Sequence, residues 1–212
     1  MIYICAGMNR SGSTWLYNAV RLTLTRANIK GLDGGWVTQK EKLLTQENSL
    51  VKTHLFDAEL AATGGIVVTS HRDLRDVAAS LRRKFQVPSI MEKLREAVEH
   101  HARWAPLAVY DLRYENLLTD KMGELRRVAA SLSLPAAMVA NLPYDAILQE
   151  IEGEKFSNER LATEGHDKVN LLHEGHITDG RHGSWTNTLT AEEVAEIEKE
   201  FRPWLTARKY LV

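Results

Sequence analysis

The sequence has one cysteine, Cys5. No disulfide can close within the chain, and a reducing compartment is expected. It has no excess of charge, because 27 lysines and arginines face 28 aspartates and glutamates, a formal net charge of −1. Without a global field, a broad nucleic-acid or anionic-membrane surface is excluded, and an anion must be met by a local cluster of donors. The five tryptophans do not alternate with basic residues, which argues against a stacking surface for nucleic acid. No stretch reaches the roughly 20 apolar residues of a membrane span. Met1 runs into a short apolar segment without the basic start of a signal peptide. A cytoplasmic protein is expected. Internal repeats, low-complexity tracts and linkers are also missing. With 212 residues, 44% of them hydrophobic, the chain reads as one domain over 1–212 with a full core.

What is present is an alternation of strand and helix patterns. Ile2–Ala6 is a short apolar run ending at a glycine, the pattern of a buried strand. Gly7–Thr14 is a turn rich in glycine and hydroxyls, and Trp15–Ala27 has the spacing of a buried helix. The segment 31–48 is polar and mixed, with Gly34-Gly35 read as a loop, and Ser49–Thr53 as a short strand. Gly65–Ser70 and Leu107–Leu112 are the clearest later strands. Helices are expected over Asp73–Phe85, with Asp73 as N-cap, and over Pro88–Trp104, Asn116–Leu132 and Pro135–Ile151. The segment 153–188 is the longest irregular stretch, too long for an idle connection, and is read as either mobile or functional. Thr190–Phe201 closes the chain as a helix, with Thr190 and Glu193 spaced as a capping box. This alternation implies an α/β fold with a mostly parallel central sheet and helices on both faces.

Gly7 and Gly12 have the Gly-x4-Gly spacing of a Walker A loop, which makes the expected architecture a three-layer P-loop-type fold. Small residues there let successive backbone N–H groups face one oxyanion at the start of a helix. A Walker A loop has lysine directly after its second glycine, reaching the terminal phosphates. Here that residue is Ser13, and the loop's cation is Arg10. A P-loop kinase or nucleotide hydrolase is therefore disfavoured as an alternative. A non-catalytic nucleotide-binding protein of the same fold is the other.

The run Arg10-Ser11-Gly12-Ser13-Thr14-Trp15-Leu16 closely resembles the Lys-Ser-Gly-Thr-Thr-Trp-Leu loop of sulfotransferases that use 3′-phosphoadenosine 5′-phosphosulfate (PAPS). A second resemblance follows the strand at 65–70, where Arg72 is followed eight residues later by Ser80. In the family this pair grips the 3′-phosphate, a task suited to a guanidinium fork and a hydroxyl. Lys52-Thr53-His54-Leu55 is similar to the family segment in which His is the general base and Lys touches the transferring group. Gly180–Trp185 resembles, with contracted spacing, the region that closes over the 3′-phosphate. Tyr114-Glu115 resembles a Tyr-Glu-Asp sequence at a strand end, with Asn116 in place of the Asp.

The resemblance implies transfer of a sulfuryl group from PAPS to a hydroxyl or amine of a small-molecule acceptor, releasing 3′,5′-adenosine bisphosphate (PAP). It implies catalysis by His54, Lys52 and Arg10. Cofactor contacts are expected from Arg10, Ser11, Gly12, Ser13, Thr14, Trp15, Arg72, Ser80, Tyr114, Arg181, His182 and Gly183. No metal is expected, and the histidines at 100, 101, 166, 173, 176 and 182 match no familiar ligand spacing. His176 is a further possible contact beside the cofactor. Arg75, Arg82 and Arg83 are expected on a solvated helix face. The acceptor and the oligomeric state are not legible, although Phe85, Pro88, Ile90 and Met91 suggest an apolar wall.

Overall fold

The computed structural model describes residues 1–84, 89–153, 167–172 and 180–211. Five strands form one sheet: Ile2–Cys5 (β1), Leu32–Trp36 (β2), Asn48–Lys52 (β3), Ile66–His71 (β4) and Ala108–Arg113 (β5). Their order is β2-β3-β1-β4-β5, and every pairing is parallel. The described helices are Ser13–Arg26 (α1), Lys40–Leu43 (α2), Ala58–Ala62 (α3), Leu74–Lys84 (α4), Ile90–Trp104 (α5), Tyr114–Thr119 (α6), Lys121–Ser131 (α7), Ala136–Ala140 (α8), Tyr144–Gly153 (α9), Ala191–Glu200 (α10) and Arg202–Ala207 (α11).

The period of two along β1 divides the core. Tyr3 and Cys5 enter one apolar layer with Leu16, Val20, Val128 and Ile147, from α1, α7 and α9. Ile4 and Ala6 enter the opposite layer with Leu43, Leu60 and Trp104, from α2, α3 and α5. A strand buried on both faces reads as a continuous apolar run, which is why β1 was legible. A third cluster ties α4 and α5 to α10 and α11 through Val77, Leu81, Leu94, Ile197 and Leu205.

Several expectations need correction. Gly34 and Gly35 do not form a loop. They lie inside β2, paired with Leu50 and Val51 of β3. A Cβ on Gly34 would come 2.6 Å from Tyr17 Oη, and one on Gly35 would come 2.3 Å from Gln39 Oε1. The glycines mark close approach rather than a turn. The helix expected over 116–132 is two helices, broken where Asp120 caps α7 by accepting from Gly123 N at 2.8 Å. The helix expected over 135–151 is interrupted between α8 and α9, beside Pro143, whose ring cannot continue the ladder. The chain does not end at α10, since Pro203 opens α11 within its first turn. The capping box of Thr190 and Glu193 is present with both hydrogen bonds. Phe85, Gln86 and Pro88, most of the segment 153–188, and His166, His173 and His176 lie outside the described residues.

Candidate functional site

The chain leaves β1 toward β2 on one side of the sheet, while its neighbour β4 leads to β5 on the other. Ligands of open parallel sheets bind outside the carboxyl ends of strands at such a switch point. Four strand ends meet there. β1 delivers the loop 6–14, β3 delivers Lys52 and His54, β4 delivers Arg72, and β5 delivers Tyr114.

The loop is held from below. Met8 N donates to Ser70 O at 2.9 Å. The Ser11 hydroxyl lies 2.6 Å from Met8 O and 2.7 Å from Ser70 Oγ. The Ser11 side chain is therefore committed inside the protein, and only its backbone N–H remains for a ligand. Gly7 packs so tightly that an added Cβ would lie 2.4 Å from Ser70 Oγ. Arg10 and Gly12 both have left-handed backbone, with φ of 63° and 79°. These turns bring the chain to α1, where Ser13, Thr14 and Trp15 present first-turn amides that lack a carbonyl within the helix. The Trp15 indole packs against the core, and its buried Nε1 has no hydrogen-bond partner among the described residues.

Lys52 is 1% exposed. Its ammonium bonds Thr14 Oγ1 and lies 4.8 Å over the Trp36 ring. Burial pushes its pKa down to about 7. His54 is half-buried, edge-on to Trp36. Its Nδ1 lies 2.6 Å from the carbonyl of Gly7. A carbonyl only accepts, so Nδ1 carries the proton and Nε2 keeps the lone pair. Desolvation, and then the charge of Lys52, push His54 down to about 4. The imidazole is neutral at neutral pH, with its basic nitrogen on the side away from the loop.

The second half of the site is cationic. Arg10 Nε donates to Ser80 Oγ at 2.9 Å, so the loop cation lies beside the serine two turns into α4. Arg72, 4% exposed, donates to Arg10 O at 3.3 Å and to Arg181 O at 2.5 Å. Its guanidinium stacks 4.1 Å above the Tyr114 ring, and Tyr114 in turn packs against Gly12. Arg72 Nε is buried without a hydrogen-bond partner among the described residues. Burial, and next the charge of Arg72, push Arg10 below its ordinary value. Two guanidiniums held this close are relieved by an anion, and the orphan Nε–H is a donor for one of its oxygens.

Arg181, His182 and Gly183 reach this half from the far end of the chain. Arg181 and His182 are exposed. Gly183 has φ of 75°, and its N–H donates inward to Asp76 Oδ2 at 2.8 Å rather than toward the pocket. His182 Nδ1 lies 3.4 Å from Asp76 and 3.8 Å from Glu115. The Gly183 N–H, expected as part of a direct cofactor contact, is used within the protein here. Arg75 also departs from expectation. It is largely buried, paired with Asp73 and Glu198, and stacked on Trp185. Asp73 caps α4 as expected, accepting from Arg75 N at 2.9 Å.

Asp76, Trp36 and Ser70 were not foreseen. An acid in a helix's first turn ordinarily reads as a partner of the dipole, and Trp36 ends a strand hidden by its glycines. Among the described residues, two groups bring three acid or imidazole atoms within 4.8 Å: His71, His101 and Asp111, and Asp76, Glu115 and His182. Protein groups meet the carboxylates of Asp111 and Asp76, although Asp111 Oδ2 has an ion pair and no hydrogen bond among the described residues. Asp111 meets Thr69 and Arg208, and Asp76 meets backbone amides.

The profile of the sulfotransferase domain family matches residues 66–209. No curated protein matches the sequence. Mouse sulfotransferase SULT7A1 complexed with PAP superposes with a TM-score of 0.62 at 13% identity, covering 97% of this chain and 83% of that one. Retinol dehydratase in complex with retinol and PAP gives 0.61 at 20% identity, covering 96% of this chain and 80% of that one. The same enzyme with androsterone and inactive cofactor PAP gives 0.58 at 20% identity, with the same coverage. At these identities the structures establish the shared fold. The profile match contains Arg72, Ser80, Tyr114 and Arg181, while the loop, Lys52 and His54 precede it.

Proposed function

This chain belongs to the sulfotransferase domain family, and from that premise we propose that it transfers a sulfuryl group from PAPS to a hydroxyl or amine of a small-molecule acceptor. The observation that carries the reading is the buried Arg72, whose Nε has no hydrogen-bond partner among the described residues and whose Nη1 donates to the carbonyl of Arg10, the residue whose side chain meets Ser80. It offers a second anion subsite, apart from the loop's amides, as a 3′-phosphate requires. When bound, PAPS supplies an electrophilic sulfuryl group and a stable bisphosphate leaving group.

The residues divide the work. Arg72, Ser80 and Arg181 bind the 3′-phosphate, with Tyr114 holding the Arg72 plane. The amides of Ser13, Thr14 and Trp15 face the 5′-phosphate. His54 Nε2 takes the acceptor's proton, and its Nδ1–H stays on Gly7 O so that the ring keeps its orientation. Lys52, on Thr14, is assigned to the negative charge that grows on the departing phosphate oxygen, while Arg10, whose Nε is on Ser80, stands between that end and the 3′-phosphate half and adds its charge to both; preorganised donors of this kind act chiefly on that charge. These fixed cations can do the neutralising that Mg²⁺ does in kinases, so the reading includes metal independence. It also includes one domain over 1–212, a cytoplasmic location and an acceptor of small size. The retinol and androsterone in the related structures fit such an acceptor. No described helix is long and apolar enough to cross a membrane.

Calorimetric titration with PAP, AMP and ATP, with and without Mg²⁺, tests the reading. Tight, metal-independent binding of PAP with weak binding of AMP is expected. ATP binding strengthened by Mg²⁺ would favour the kinase alternative, and no binding at all would favour a non-catalytic protein of the same fold.

A further inference from the structure

Asp76 is fully buried in the first turn of α4, yet donors to its carboxylate come from a segment 107 to 109 residues away. Oδ2 accepts from Gly183 N at 2.8 Å, with His182 Nδ1 at 3.4 Å. Oδ1 accepts from Trp185 N and from Ser184 Oγ, each at 3.2 Å. Three consecutive residues of a distant segment thus converge on one carboxylate. Neighbours on α4 add to the grip. Arg75 stacks 4.5 Å from the Trp185 ring, and Arg83 donates to Ser184 Oγ at 3.1 Å. Arg72, four residues before Asp76, reaches Arg181 O just upstream.

We infer that Asp76 is the positioning residue for the 3′-phosphate half of the site, holding segment 180–185 so that Arg181 is presented beside Arg72. This rests on the proposed sulfuryl-donor reading of that site. The chemistry suits the task. Segment 181–185 carries its own cation into a region already holding Arg10, Arg72 and Arg83. A buried carboxylate offsets that repulsion, and its charge strengthens each amide bond it accepts. Asp76 itself contacts backbone and side chains of the segment, so it acts on the cofactor through Arg181 and Arg72.

The test uses the full chain with Asp76→Ala and Asp76→Asn, titrated with PAP and with AMP, alongside amide hydrogen exchange. The wild type is expected to prefer PAP. Asp76→Ala should lose about tenfold or more in PAP affinity, as expected for losing charge-assisted hydrogen bonds, with AMP affinity changed less than about twofold. Asp76→Asn keeps one acceptor oxygen and should fall between, which guards against an alanine variant that fails to fold. Exchange should accelerate at Gly183 and Trp185 while β1 and β4 keep their protection. A PAP affinity that survives in both variants, against a wild type that prefers PAP, overturns the inference. So does an equal loss of PAP and AMP affinity with unprotected β1 and β4, which would make Asp76 a general stability residue. If the wild type itself shows no preference for PAP, the functional reading fails. Exchange then decides separately whether Asp76 holds the segment, and unchanged protection at Gly183 and Trp185 overturns that too.

Discussion

Lys52 and His54 are two residues apart, and their titrations follow from their surroundings. Burial lowers Lys52 to about 7, and desolvation with the Lys52 charge lowers His54 to about 4. The base must be neutral and the lysine charged for the proposed chemistry. In the free enzyme kcat/KM is therefore expected to rise as pH passes about 4 and fall as it passes about 7. An anion in the pocket favours both protonated forms, so the limbs of kcat should lie higher than those of kcat/KM. A kcat/KM profile flat from pH 5 to 9 would remove Lys52 from the role assigned to it. His54→Gln should lower kcat by about 10²-fold or more and leave the Kd for PAP within about twofold. Unchanged turnover would exclude His54 as the base. Gly12 is constrained differently. At φ of 79°, with Tyr114 and Leu117 each 3.1 Å from an added Cβ, Gly12→Ala should cost at least about 1–2 kcal/mol in denaturant unfolding.

Among the elements, β1, β3, β4 and β5 were legible because apolar, β-branched runs leave few alternatives for a buried parallel strand. β2 was not, because Gly34-Gly35 carries the composition of a turn. The glycines are selected by what lies above and below the strand, and that is visible only once α1 has packed. Gly34→Ala sets a methyl 2.6 Å from Tyr17 Oη and should lower stability by about 1–3 kcal/mol. It should also raise the acceptor KM through displacement of Trp36, which stands at the end of the strand against Lys52 and His54. Loss of stability without any KM change would separate β2 from the site. The candidate site was legible in its separate pieces: Arg10, Lys52, His54, Arg72, Ser80, Tyr114 and Arg181 were named from short motifs by resemblance, and the sheet brings the strand ends that carry Lys52, Arg72 and Tyr114 together with the loop of Arg10. Side-chain commitments were not legible. The inward turn of Ser11 and the amide-binding role of Asp76 depend on residues 59 and 107 to 109 positions away.

For the molecule as a whole, the net charge of −1 means that ligand affinity is concentrated in the pocket rather than drawn from a surface field. Residues from five strand ends or segments, spanning Gly7 to Trp185, supply that pocket, so a ligand that engages all of them binds the folded chain and not the unfolded one. At about 100 times its Kd, such a ligand adds about 2.7 kcal/mol of stability. For a chain of 212 residues, each kcal/mol raises Tm by about 2–4 °C, so PAP should raise Tm by about 5–11 °C. AMP at the same concentration lacks the 3′-phosphate and should raise it much less. In Arg72→Ala the difference between the two ligands should vanish, because the residue removed is the one proposed to tell them apart, and it joins the loop at Arg10 to the segment at Arg181. If differential scanning calorimetry found the PAP advantage intact in that variant, the 3′-phosphate would have to be held by other residues, and Arg72 would be a structural tie between two loops.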